Sequence, residues 1–82
     1  MSVLDGFSVV TIAQNVPGPA AAARMRALGA QVRKVEPPAG DPLQKIAAAW
    51  YDALHRGCSV KTLDLKTEAD RRVMDGFLAE AD

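Results

Sequence analysis

His55 and Cys58 stand three residues apart near the end of a helical stretch, and together they raise the question of nucleophilic catalysis. A Cys–His pair needs the two side chains in contact and a third group to orient the imidazole. Such pairs usually meet across a fold rather than along one segment. The plainer reading is a helix-end His that suits the helix dipole, beside a half-buried Cys. With a single His and a single Cys, only carboxylates remain as further ligands, so no metal is expected. Asp64 and Lys66 flank Leu65, and strand alternation sends both to one side. They make either a surface pair worth well under ~1 kcal/mol, or a Lys placed at the carboxyl end of a parallel strand to meet a phosphate. Arg33 and Lys34 supply cations within an earlier strand. The loop Gln14-Asn15-Val16-Pro17-Gly18-Pro19 holds neither G-x-G-x-x-G nor a P-loop. It does lead into a helix N-terminus, where free N–H groups favour an anion; a rigid structural turn is the competing reading. Trp50 and Tyr51 can stack a base, but Trp50 falls on an apolar stripe that assigns it to the core.

The elements that must position these residues alternate in type. Phe7 to Ala13 (FSVVTIA) is a β-branched run long enough for one buried strand. The Pro-Gly-Pro break ends it. Ala20 to Leu28 is helix-favouring, with Pro19 acceptable in the first turn and Gly29 at the stop. Ala30 to Glu36 (AQVRKVE) reads as a second strand, and its polarity suits a place nearer an edge. After the loop Pro37 to Gly40, Asp41-Pro42 opens a helix. Its predicted stripe is Leu43, Ile46, Ala47, Trp50 and Leu54. Ser59 to Leu65 is a third strand. Thr67 to Asp70 resembles a capping box, and Val73, Met74, Phe77 and Leu78 form the apolar face of a last helix. Three β-α units in this order predict the doubly wound α/β class, a parallel sheet with right-handed crossovers over residues 1–82, and so meagre a sheet hints at the front part of something longer.

Composition narrows the function classes. The chain of 82 residues carries 10 basic and 10 acidic side chains, is 49% hydrophobic and 5% aromatic, and holds one Cys. Balanced charge without Lys/Arg clusters argues against nucleic acid and against an anionic membrane. Apolar runs fall short of the ~20 residues of a membrane span, and the residues after Met1 lack a secretory signal. A lone Cys fits a reducing compartment. The expectation is a cytoplasmic globular protein.

The order VVTIAQNVPGP, a small-residue helix ending in LGA, then VRKVEPPAGDP and HRGCSVKTLDLKT resembles the amino-terminal part of the family III CoA-transferases. That family includes carnitine CoA-transferases and 2-methylacyl-CoA racemases. The resemblance covers nearly the whole chain, and its most specific pieces are KVEPPAGDP (34–42) and LDLKT (63–67). It implies the front portion of a Rossmann-like domain in a longer chain, with two subunits interlocked as a homodimer. It further implies that this segment holds the ADP end of coenzyme A. Asn15, Val16 and Pro17 would lie against the nucleotide, and Glu36 to Pro38 would make further contacts. Leu63 would pack on the adenine and Lys66 would meet phosphate as a point charge. Where many members have Arg after the strand-two acid, this chain has Pro37, and Lys34 or Arg33 would supply the compensating charge. Thr11 replaces a frequent acidic residue, and His55-Arg56-Gly57 replaces an asparagine-arginine-glycine start.

The resemblance also implies what lies elsewhere. The family's catalytic aspartate comes after this segment; in the transferases it attacks the acyl-CoA thioester, giving an aspartyl anhydride and then an aspartyl-CoA thioester. The racemases exchange the α-proton by acid–base chemistry. Asp5, Asp41, Asp52, Asp64, Asp70, Asp75 and Asp82 all have surface or capping explanations. The parent's substrates would be an acyl-CoA and a carboxylic acid, with transfer as the leading reading and racemisation as the alternative. A stand-alone non-catalytic module, or a fragment that self-assembles through its sheet edge, are readings from other classes. The 82-residue chain alone is expected to be inactive; incubation with acyl-CoA donors and acid acceptors checks this, and any turnover refutes it.

Overall fold

The computed structural model describes residues 2–82. Strand β1 (Ser8–Thr11) leads to helix α1 (Pro17–Ala27), then β2 (Gln31–Glu36). Two short helices follow, α2 (Pro42–Ile46) and α3 (Ala48–His55), then β3 (Ser59–Thr62) and α4 (Glu68–Glu80). The strands form one parallel sheet in the order β1-β2-β3. This is the predicted α/β class.

Alternation along β2 divides the molecule into layers. Val32 and Lys34 point to the face covered by α1 and α3: Val32 packs with Ala22 and Ala30, and Lys34 meets His55. Arg33 points the other way, its guanidinium 4.1 Å from the centre of the Phe77 ring on α4. The chain then returns to β1. Phe7 O accepts from Gln31 N, so the N–H and C=O of Ser8 face away from β2. Asp82 takes both, its N–H donating to Ser8 O at 2.9 Å and its Oδ2 accepting from Ser8 N at 2.8 Å. No helix among the described residues is long and apolar enough to cross a membrane.

Two glycines are required by geometry. Gly29 ends α1 at φ +105, where a Cβ would also meet Asp5 Oδ1 at 2.1 Å. At Gly18 in the first turn of α1, a Cβ would stand 2.1 Å from the Ala13 Cβ, so the β1–α1 loop closes tightly only without a side chain there.

The sheet corrects two expectations. The polar second strand is central, not near an edge, and its Lys34, Val35 and Glu36 are all buried. A central strand tolerates Lys34 and Glu36 because they neutralise each other across 3.2 Å. The expected single amphipathic helix after Asp41 breaks at Ala47 (φ −147, ψ 73) into α2 and α3. The break resets the helical phase. Trp50 therefore faces solvent, at 53% exposure, while Tyr51 and His55 turn inward; Ile46, at the end of α2 before the break, is exposed as well. Trp50 is not core.

That reassignment is measurable. Trp50→Ala is expected to lower unfolding free energy by under about 1.5 kcal/mol, whereas Tyr51→Ala costs about 3–5 kcal/mol through lost burial and an unpaired Glu36. Urea unfolding followed by circular dichroism decides; equal losses at the two positions would contradict the phase of α3.

Candidate functional site at the carboxyl ends of the strands

Open parallel sheets bind ligands beyond the carboxyl ends of their strands, and a groove of about 590 Å³ lies there. Ile12 and Gln14 come from the segment after β1. Val35, Pro37, Pro38 and Ala39 come from the end of β2 and its loop, and Leu63, Asp64, Leu65 and Lys66 from the turn after β3. Val35 and Leu63 are buried, while Ile12 and Leu65 are exposed, at 63% and 42%. A flat apolar body would therefore find a firm floor and a wet rim.

Local hydrogen bonds shape the third wall. Leu63 N donates to Glu36 O, carrying the β2–β3 pairing past the strand end. Asp64 then folds back: its Oδ1 accepts from Lys66 N at 3.0 Å, and its O accepts from Thr67 N and Thr67 Oγ1. Thr67 caps α4 by accepting from Asp70 N. Asp64 thus engages the Lys66 backbone rather than its ammonium, and Lys66 forms no salt bridge among the described residues. An exposed, unpaired ammonium at the rim suits a phosphate oxygen.

Behind the groove lies a buried ionic cluster. The Lys34 ammonium donates to Asp41 Oδ2 at 2.5 Å, meets His55 Nε2 at 2.7 Å, and lies 3.2 Å from Glu36 Oε2. Tyr51 OH donates to Glu36 Oε2 at 2.5 Å, and the Tyr51 and His55 rings stack with centres 3.9 Å apart. Asp41 Oδ1 accepts from Leu43 N, capping α2, and from Asn15 N across the fold. Burial by itself would raise the Asp41 carboxyl; the Lys34 hydrogen bond, the two backbone N–H groups and the Lys34 charge outweigh it and hold the group below its ordinary range. Burial, then the hydrogen bond to Glu36, pushes the Tyr51 phenol well above its ordinary range, so Tyr51 stays a donor. Donor atoms of Glu36, Asp41 and His55 lie within 4.8 Å of one another, a spacing that could hold a metal ion. Lys34 touches all three and supplies the cation itself.

The structure brings Pro38, Leu63 and Lys66 to one groove. Asn15, Val16 and Pro17 belong to the loop that supplies Gln14, but they do not line it. Asn15 adopts φ 63 and is held by Asp41. Lys34 is not at the groove: it is 1% exposed and committed to carboxylates, which corrects its expected role toward a phosphate. Arg33 cannot substitute, because it stacks on Phe77. The start of α1 is also a poor anion cradle, since Pro17 and Pro19 lack N–H groups and Ala20 N is bonded to Val16 O. The cluster of Glu36, Asp41, Tyr51 and His55 was not anticipated from sequence. Its signal was the K-x-E spacing on one strand face and the Y-x-x-x-H spacing on one helix face. A second groove, about 650 Å³, lies where Ser8, Gln31 and Ser59 begin their strands, at the opposite end from these features.

The sequence profile of CoA-transferase family III matches residues 4–82. The probable fatty acyl-CoA transferase Rv3272 of Mycobacterium tuberculosis is 38% identical, over 87% of this chain and 20% of that protein. Cinnamoyl-CoA:phenyllactate CoA-transferase of Clostridium sporogenes is 32% identical, over 99% of this chain and 22% of that protein. The crystal structure of Rv3272 superposes with a TM-score of 0.90 at 38% identity, covering 100% of this chain and 24% of the other. A CAIB/BAIF family protein from Brucella suis gives 0.90 at 34% identity, covering 99% and 24%. The chain spans about a fifth of the length of these curated relatives and about a quarter of these solved chains.

The buried cluster makes the fold acid-sensitive in a defined window. Because the Asp41 carboxyl is lowered in the folded chain, its stabilisation is complete above its ordinary value near 3.8 and is lost as pH falls through the lower folded value. Asp41→Asn is expected to be less stable than the parent at pH 7, with the gap narrowing toward pH ~2. Thermal melts across that range check it; a gap constant with pH would place the Asp41 contribution elsewhere.

Proposed function

This chain belongs to CoA-transferase family III, and on that premise we propose that its groove receives the nucleotide end of coenzyme A. The observation that carries the reading is one groove at the strand carboxyl ends with apolar walls and an unpaired Lys66 at its rim. In this reading the adenine lies against Val35, Leu63 and the Pro37–Pro38 segment. Contact with Pro37, Pro38 and Leu63 covers an apolar face of the ring. Lys66 meets a phosphate, where a charge-assisted contact contributes about 1.5–3 kcal/mol. Gln14, at the end of the first strand's loop, offers an amide to the ribose or the ring edge.

The parent reaction is transfer of CoA between an acyl-CoA and a carboxylic acid. Its support is that relatives named for their activity are CoA-transferases. A carboxylate outside these 82 residues performs the covalent exchange, and these residues do the binding and orienting. The parent works as a homodimer, a reading supported by the surface left uncovered: β3 is exposed along its whole length, and Ile46 and Trp50 are open on α2 and α3.

Lys66→Ala tests the assignment. Coenzyme A binding, measured by calorimetry, is expected to weaken about tenfold or more, while binding of pantetheine, which lacks the nucleotide, stays unchanged. Equal losses for both ligands, or none for either, would remove Lys66 from the nucleotide site.

A further inference from the structure

We propose that Asp41, acting with Lys34, is the positioning residue that sets the shape of the nucleotide groove without touching its ligand. The inference rests on the reading of the groove as a nucleotide site. The loop Pro37–Gly40 carries the middle wall, Pro37, Pro38 and Ala39. It is flanked by Glu36 and Asp41, and both flanking carboxylates bind one ammonium, Lys34 Nζ, at 3.2 and 2.5 Å. The two ends of the loop are therefore clamped to the same atom, and Gly40 N donates to Pro37 O at 2.8 Å within the clamp. The second oxygen of Asp41 reaches the other wall. It accepts at 3.1 Å from the N–H of Asn15, next to the groove residue Gln14. One carboxylate thus joins the β1–α1 segment, the β2–α2 loop and the start of α2, where Leu43 N also donates to it.

Asn15 shows that this join holds an unfavourable backbone. It is the non-glycine residue with positive φ among the described residues, at 63. Asn tolerates that conformation better than most residues, and its N–H is the one bonded to Asp41. Lys34, Glu36, Tyr51 and His55 complete the enclosure, so that no polar side-chain atom buried in the described residues lacks a partner. Lys34 and Asp41 are each 1% exposed, and neither can reach a ligand directly. Their effect on binding is exerted through the walls.

The test compares two variants that differ in which contacts they keep. Asp41→Asn retains an oxygen for Leu43 N and Asn15 N but loses the ion pair with Lys34. Asp41→Ser keeps at most the cap to Leu43 N. Coenzyme A affinity is expected to fall about threefold in Asp41→Asn and about tenfold or more in Asp41→Ser, at a temperature where circular dichroism shows both folded. Hydrogen exchange supplies the readout that a purely structural role would not move. The Asn15 amide should lose protection in Asp41→Ser, while the Leu63 amide, bonded to Glu36 O, keeps it. The unmodified chain gives a check that needs no variant to fold: its Asn15 amide should exchange as slowly as Leu63. An Asn15 amide as fast as an open loop amide, or folded variants that bind coenzyme A like the parent, overturns the proposal. If the unmodified chain binds neither coenzyme A nor ADP, the reading of the groove fails instead, and the exchange result still decides whether Asp41 joins the two walls.

Discussion

A buried ammonium and the groups that answer it constrain this small fold more than its apolar core does. The buried apolar side chains are mostly small or β-branched, such as Ala22, Ala30, Val32 and Val35. Into that thin core the chain inserts Lys34, Glu36, Asp41, Tyr51 and His55. Removing the charges of Lys34, Glu36 and Asp41 from water costs several kcal/mol each, and the attraction among them roughly offsets that cost. The net gain lies in definition rather than stability, because only one arrangement pairs every group. His55 illustrates it: Nε2 faces the Lys34 ammonium at 2.7 Å and Nδ1 faces Tyr51 O at 2.7 Å. An ammonium can only donate and a carbonyl can only accept, so the ring carries its hydrogen on Nδ1. The tautomer, the phase of α3 and the place of β2 at the centre of the sheet are consequences of one another.

The sheet's connections single out the same end of the molecule for an independent reason. Helices α1 and α3 lie on one side of the sheet, α4 crosses on the other, and Asp82 comes to rest on the outer edge of β1. The direction of winding therefore reverses at β1. A crevice opens beside the carboxyl end of a strand at such a reversal, since the flanking loops part to opposite faces. Ile12 and Gln14 follow that strand end and line the groove. Topology and wall chemistry thus point to the same end of the molecule, although they depend on different residues.

Much of this was legible in the residues, for physical reasons that also explain the failures. Seven-residue runs rich in β-branched residues, bounded by turn residues, located all three strands, though the first and third strands stop short of the expected Ala13 and Leu65, and Thr67 announced its own helix start. The resemblance carried by KVEPPAGDP and LDLKT named the right family. Pro38, Leu63 and Lys66 lie together because strand carboxyl ends converge whatever the side chains are. What could not be read was which polar residues would be buried. Periodicity assumes that apolar residues face inward, so it placed Trp50 in the core and β2 near an edge. Both inferences failed on polar burial: β2 buries Lys34 and Glu36 as partners, and α3, restarted after the break at Ala47, turns Tyr51 and His55 toward them. Pairing across 21 residues, as between Lys34 and His55, leaves no local trace.

The balance of charge at the groove shows what kind of binding these residues can supply. Coenzyme A brings a diphosphate and a 3′-phosphate, whereas the walls offer the ammonium of Lys66 and, beside it, the carboxylate of Asp64. Lys34 is spent inside, Arg33 is stacked on Phe77, and Pro17 and Pro19 at the start of α1 remove two of the backbone donors that usually meet phosphate. The groove is therefore better matched to the heterocycle than to the phosphates. On the proposed reading, recognition of the flat apolar part depends on wall spacing, which the Asp41 join would fix before any ligand arrives, leaving little ordering to be done on binding. Recognition of the charged part requires further cations, and in relatives four to five times longer than this chain there is ample sequence to provide them. On the proposed reading a division follows, in which this segment selects for the nucleotide's shape and the rest of a longer protein answers its charge.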